Sequence, residues 1–310
     1  MSADSMRDRF VRVVTELLDT EPRLALVLAD ISVDRFLANG ACERHPKRIV
    51  NVGIREQLMV NVAAGMALEG MRTIAHSFAP FLIERSFEQV KLGFAHQGVG
   101  GILVSAGASY DIAAYGRTHQ TAADVALMAA LPGWRVLLPG HSDEAEAFLR
   151  DAVNSDDAVY IRLSDQQNSV SQPVDSGRLV TTRWGATGGL TVIAVGPMLD
   201  AVTEATSALD ATILYASTIR PFDGASLRAV ASGTDVVLVE PCLEGTSAAA
   251  VSSALADRPH RLLSIGVPST EHRKYGSPAQ HNEAHGLNPA GLRERIVEWL
   301  GRSRLHPVER

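Results

Sequence analysis

Short runs of β-branched and aliphatic residues alternate along this chain with stretches whose apolar positions recur every three or four residues, the pattern of a parallel sheet flanked by helices. Phe10, Val13, Val14, Leu17 and Leu18 mark a first amphipathic helix. Strands are predicted at Leu24–Leu28, Arg48–Val52, Thr73–His76, Gly101–Ser105, Trp134–Leu138 and Val159–Leu163, with helices between most of them. One helix carries Leu58, Met59, Val62, Ala63, Met66, Ala67 and Leu68, is closed by Gly70, and is expected to be buried. Residues 164–178 are polar, contain Pro and Gly, and read as a linker. The pattern then restarts. Strands at Leu190–Val195, Thr212–Tyr215, Val236–Glu240 and Arg261–Ile265 alternate with helices near 198–208, 223–231, 246–257 and 289–301. The expected fold is α/β, with two consecutive domains, each a mainly parallel sheet flanked by helices: residues 1–165, a linker at 166–180, and residues 181–310.

Composition agrees with two domains. A length of 310 residues with 46% hydrophobic content is ample for two cores. Charged residues make up 21%, the net charge is −6, and there is no basic tract, which argues against a nucleic-acid partner. Cys42 and Cys242 fall in different expected domains and form no metal or redox pattern, so a reducing cytoplasm is expected. The first residues show no signal-peptide core, and no apolar run approaches the roughly 20 residues that span a bilayer.

The run Asn51-Val52-Gly53-Ile54-Arg55-Glu56-Gln57 places a carboxylate where an apolar strand ends and a helix begins. Desolvation there would raise its pKa and suit it to share a proton. The local pattern equally fits a solvated Glu favoured by the helix dipole. Phe78 and Phe81 follow in His76-Ser77-Phe78-Ala79-Pro80-Phe81. If a helix starts at Pro80, both rings lie near one pocket, or both are ordinary core. His119 lies in Tyr115-Gly116-Arg117-Thr118-His119-Gln120 and titrates near neutral pH. His272, His281 and His285 have no recognised ligand spacing, so no metal site is expected.

Three elements in this order, Gly-Ile-Arg-Glu-Gln at 53–57, Ser-Phe-x-x-Phe at 77–81 and Gly-x-Thr-His-Gln at 116–120, resemble the transketolase family. The likeness is to the C-terminal half of transketolase and of 1-deoxyxylulose-5-phosphate synthase, from about Ala29 to about Trp299. It implies a pyrimidine-binding domain followed by a transketolase C-terminal domain. It also implies that Glu56 bonds ring nitrogen N1′ of thiamine diphosphate and so favours the 4′-imino tautomer, whose imino nitrogen can deprotonate the thiazolium at C2. Phe81 would stack on the pyrimidine, Phe78 would line the same pocket, and Ile31 would prop the cofactor in its bent form. His119 would face the reacting carbon and substrate oxygens. His76, which precedes Ser77-Phe78, is counted with the substrate-facing residues. Arg85 is counted with the cofactor-binding residues, although pairing near Glu56, facing a partner chain, and a plain solvated or salt-bridged arginine all stay open.

Departures from the family pattern bear on the substrate. An acidic residue that bonds a substrate hydroxyl is replaced by Tyr115. The loop 105–111 lacks the family's His. Asp165 stands where a phosphate-binding Arg is expected, and a carboxylate there repels a phosphate. Arg162 is close in sequence, but strand alternation should point it elsewhere. In the second domain, Thr218–Asp223 and Val239–Cys242 resemble the family, while Glu240-Pro-Cys-Leu-Glu-Gly245-Thr246 replaces its Glu-Glu-His pattern, so this domain reads as scaffold and subunit contact. No Gly-Asp-Gly…Asn element for the diphosphate and Mg²⁺ is present. The resemblance therefore implies the C-terminal subunit of a split transketolase. An N-terminal partner subunit would hold Mg²⁺ and diphosphate in an α₂β₂ assembly. A β subunit of a 2-oxo acid dehydrogenase E1 and a non-catalytic relative are the alternatives.

Overall fold

Among the described residues, 4–174 and 177–302, twelve strands build two sheets in this computed structural model. They are β1 Leu24–Leu28, β2 Ile49–Asn51, β3 Arg72–Phe78, β4 Ile102–Ala106, β5 Trp134–Leu137, β6 Ala158–Arg162, β7 Val180–Arg183, β8 Leu190–Val195, β9 Ala211–Ala216, β10 Thr218–Arg220, β11 Asp235–Leu243 and β12 Arg261–Val267. The first sheet runs in the order β10-β5-β6-β4-β3-β1-β2, the second β12-β11-β8-β9-β7. All pairs are parallel except β10 on β5 and β7 on β9. Every residue of β1 (Leu-Ala-Leu-Val-Leu) and β4 (Ile-Leu-Val-Ser-Ala) is buried, as parallel strands covered by helices on both faces must be. Helices Met6–Thr20 and Ser142–Val153 cover one face through Phe10, Val14, Leu18, Phe148 and Leu149. Helix Glu56–Leu68 covers the other through Met59, Val60 and Ala63.

The two antiparallel edge strands are absent from the pattern-based reading. β7 is half-exposed Val-Thr-Thr-Arg and β10 is only three residues, so neither shows an apolar run. β10 joins the two domains. It leaves the second domain and pairs with β5, register Thr218 to Leu137, extending the first sheet by one strand. The stretch expected to be a linker is held down: Asn168 is buried, with its side-chain amide on Gly196 O at 3.0 Å, and Leu179 is buried. Asp175 and Ser176, within that expected linker, lie outside the described residues. Helix Pro278–Ala284, capped by Ser277 and Gln280, is a further element that the apolar pattern does not mark. Helix Glu56–Leu68, expected to be buried, buries Met59, Val60, Ala63 and Ala64, while Leu58 is 43% and Leu68 52% exposed. The helix packs on the sheet with one face only.

Glu240 of β11 is buried, accepts from Ser247 N at 3.3 Å through Oε2, and leaves Oε1 without a partner. Burial is the largest influence and pushes its pKa up from 4.5 to about 7, against the opposing pull of Ser247 and Arg220. The folded carboxyl therefore holds its proton more tightly than the unfolded one. Its contribution to stability is fully present below pH 4.5 and is lost as pH rises through the window to about 7. Urea unfolding at acid and alkaline pH is expected to show wild type losing on the order of 2–3 kcal/mol across that window relative to Glu240→Gln. Parallel pH profiles of the two proteins would remove Glu240 as the cause.

Candidate active site

Because β1, β3, β4 and β6 are parallel, their carboxyl ends open on one edge, where crevices form in such sheets. β1 delivers Asp30 and Ile31, β3 ends on Phe78, β4 leads into the loop that carries His119, and β6 leads to Asp165. Asp30 sits at φ 65° and is tied by Asn51, whose side chain bonds both its backbone N at 3.0 Å and its Oδ1 at 2.8 Å. Ile31, half-buried, follows it, with its N donating to Ala29 O at 2.8 Å.

Gly53, at φ 72°, turns the chain from β2 into the helix that starts at Glu56. Glu56 is 2% exposed. Arg85 Nη1 donates to its Oε2 at 2.8 Å, and the same guanidinium lies 4.1 Å over the ring of Phe81. Of the alternatives for Arg85, the structure shows pairing with Glu56, so Glu56 is not a lone buried acid. The helical face that their spacing led one to expect for Phe78 and Phe81 does not form. Phe78 ends β3, and Phe81 follows in a π-helical turn, Pro80–Glu84. Their rings still meet edge to face, centroids 6.4 Å apart.

His119 completes this cluster. Its ring lies 5.0 Å from Phe81 and 6.1 Å from Phe78, and Nδ1 is 3.0 Å from Thr118 Oγ1. Burial, then the Arg85 charge, lowers its pKa, so the imidazole is neutral at physiological pH. Tyr115 is 71% exposed with its ring 5.2 Å from His119. Gly107, at φ 68°, lets the loop pass Phe78 and Ile112, which a Cβ would approach to 3.3 and 2.8 Å.

His76 does not reach the crevice. It is fully buried in β3, with Nε2 3.0 Å from Ser32 Oγ, Nδ1 2.8 Å from Val104 O, and its ring against Phe10. Burial drives its pKa down to about 3. A backbone carbonyl and a hydroxyl satisfy both nitrogens, so its place is beneath the site, holding Ser32. Through Ser32 it supports a residue that motif reading missed. Arg7 Nε donates to Ser32 Oγ at 3.0 Å, and the Arg7 guanidinium stands 5.5 Å from the Phe78 ring centroid. Arg7 lies in the first turn of an ordinary amphipathic helix, and no local motif marks it. Burial and Arg35 lower its pKa while Asp34 and Asp165 raise it. Asp165 is thus not alone at the crevice rim, because Arg7 and Arg35 are the cations that act on it. Beside it, buried Asp111 accepts from Ser164 Oγ at 2.9 Å and Asp165 N at 3.0 Å, and burial raises its pKa to about 6.

Arg162 points away, as alternation requires, into a buried ion pair with Asp124 at 2.7 Å. His272, His281 and His285 do come together, with ring centroids 4.8 Å apart for 272 and 285 and 5.5 Å for 281 and 285. Among the described residues, no group of three His, Cys, Asp or Glu side chains has the geometry to hold a metal ion. No described helix is long and apolar enough to cross a membrane.

Residues 3–169 match the profile of the transketolase pyrimidine-binding domain, and residues 181–292 that of the transketolase C-terminal domain. The chain is 47% identical over 296 residues to an uncharacterized 33.6 kDa protein in the fasciation locus of Rhodococcoides fascians, covering 94% of each. It is 30% identical over 278 residues, 84% of each, to a 6-deoxy-6-sulfo-D-fructose transketolase subunit of a Clostridium species. Against the 1-deoxy-D-xylulose-5-phosphate synthase of Acidovorax ebreus it is 30% identical over 271 residues, 84% of this chain but only 42% of that longer protein. Among solved structures, a split-gene transketolase described as an inactive β4 tetramer superposes with a TM-score of 0.81 at 24% identity, covering 96% of this chain and 98% of that one.

Proposed function

The chain belongs to the transketolase family, and on that premise we propose that it is the C-terminal subunit of a split thiamine-diphosphate enzyme that transfers a two-carbon ketol unit between sugar or sugar-like substrates. The observation that carries the reading is the joining of Glu56, Phe81, Phe78 and His119 at one crevice, from three separate segments. A buried carboxylate beside an aromatic face fits a flat, nitrogen-bearing ring such as an aminopyrimidine. Relatives that match over nearly their whole length, one of them named a transketolase subunit, support the split arrangement.

In this reading Glu56 holds or shares the proton at N1′ of the pyrimidine, and Arg85 fixes the carboxylate for that bond. Phe81 and Phe78 orient the ring and keep water from it. When bound, thiamine diphosphate supplies the carbon nucleophile that carries the ketol unit. Neutral His119 can donate to, or accept from, a substrate oxygen without bringing a charge into the crevice. The partner subunit, with the Mg²⁺ and diphosphate ligands, makes the opposite wall.

The chain purified alone is expected to show no ketol transfer and little cofactor binding. Mixed with a partner carrying the Gly-Asp-Gly…Asn element, it is expected to turn over a ketose donor. Full activity of the isolated chain would overturn the split reading. Turnover of a 2-oxo acid with no reaction of the ketose would favour the dehydrogenase-type alternative.

A further inference from the structure

The loop that carries His119 is shaped by the other domain. Within the loop, Thr121 N bonds Ser109 O at 2.8 Å, closing a small antiparallel bridge. Its short 3₁₀ turns, Ala113–Tyr115 and Arg117–His119, have little regular structure of their own. Contacts from beyond β8 supply the rest. Gln120 Nε2 donates to Lys274 O at 2.8 Å, and Arg117 Nε donates to Glu271 Oε1 at 3.1 Å. Leu243 N donates to Ala122 O at 2.7 Å, and Ser109 Oγ donates to Pro241 O. Tyr110 stacks on His281 at 5.2 Å and its hydroxyl donates to Asn282.

A further contact is at Gly116, between Tyr115 and the turn that ends in His119. Gly116 has φ 82°, and a Cβ there would lie 2.7 Å from Tyr275 Cε1 and 3.0 Å from its Cζ. The Tyr275 ring therefore rests on the glycine backbone itself. Tyr275 is otherwise 71% exposed, so this contact is not an ordinary core anchor. Contacts at Gly116 on one side and Gln120 on the other restrain the backbone of residues 117–119. That backbone carries the His119 imidazole, whose ring meets Phe81 and Phe78.

We propose that segment 268–282 of the second domain sets the pose of His119, with Tyr275 as a positioning residue acting through Gly116. This rests on His119 facing the substrate in the proposed reaction. It gives the second domain a part in catalysis beyond that of a scaffold. A side chain displaced by a fraction of an ångström from its reacting partner is enough to slow a positioned step. Tyr275 touches neither Glu56 nor Phe81, so cofactor binding should not depend on it.

The test uses Tyr275→Ala and Tyr275→Phe in the full chain with its partner, and amide hydrogen exchange on the chain itself. Tyr275→Ala is expected to lower kcat roughly tenfold, with KM and cofactor affinity within about twofold of wild type. Tyr275→Phe, which keeps the ring, is expected to restore most of kcat. In Tyr275→Ala, amides 115–121 should exchange about tenfold faster while those of β1 are unchanged. The proposal is overturned if Tyr275→Ala keeps wild-type kcat and exchange, if Tyr275→Phe is as impaired as Ala, or if exchange rises throughout the chain. Should the wild-type complex transfer no ketol unit, the functional reading fails, while the local exchange result still decides whether Tyr275 holds the loop.

Discussion

Glu56→Gln is expected to slow hydrogen–deuterium exchange at C2 of the bound thiazolium by roughly 10²-fold or more, the range for loss of a positioned acid or base. The amide keeps the shape of the carboxylate, and its oxygen can still accept from Arg85, which approaches Oε2 at 2.8 Å. Phe81 and Phe78 are untouched, so the cofactor should remain bound to the assembled enzyme. The loss should therefore appear in the exchange rate and in kcat, with a smaller change in cofactor affinity. Arg85→Met is the companion measurement. It removes the cation from the Phe81 face and leaves the buried Glu56 carboxylate without its partner, a strongly unfavourable state. Weakened cofactor binding in Arg85→Met, beside retained binding in Glu56→Gln, would separate positioning of the carboxylate from its proton chemistry. An unchanged C2 exchange rate in Glu56→Gln would remove Glu56 from the reaction.

What was legible in the chain, and what was not, follows from the reach of each signal. Central strands such as β1 and β4 are continuous apolar runs, because both faces are covered, and they stand out in the sequence. β7 and β10 pair at edges and carry Thr and Arg, so no periodic signal marks them. The joining of β10 to β5 is a contact between residues 218–220 and 136–137, beyond any local window. Glu56, the phenylalanines and His119 stood out because they lie in short motifs. Arg7 did not, because its place over Phe78 depends on where helix Met6–Thr20 packs. His76 misled for the converse reason. It is a polar residue next to a motif, yet β3 turns it to the sheet face covered by Phe10. The Tyr275–Gly116 contact joins residues 159 positions apart in the chain and has no sequence signature.

The acceptor end of the crevice should discriminate by charge. Asp165 occupies the place where the sequence resemblance puts a phosphate-binding arginine, while Arg7 stands over Phe78 with its Nε on Ser32. Arg35 also acts on Asp165 but is itself paired with Asp8. A phosphorylated substrate would thus meet one half-buried guanidinium and one carboxylate, not a cation pair. A charge-assisted contact contributes roughly 1.5–3 kcal/mol, so replacing one by a repulsive group should cost a phosphorylated acceptor about ten- to a hundredfold in kcat/KM. The preferred acceptor is accordingly expected to lack a terminal phosphate or to carry a different group there. Matched kinetics on ribose 5-phosphate and ribose would show it. Asp165→Asn should raise kcat/KM for the phosphate roughly tenfold and leave the neutral sugar within about twofold, whereas Arg7→Met should lower the phosphate value further. A wild-type enzyme that strongly prefers ribose 5-phosphate, with Asp165→Asn without effect, would show that Asp165 lies outside the path of the substrate and that cations elsewhere, on Arg7 or the partner subunit, hold the anion.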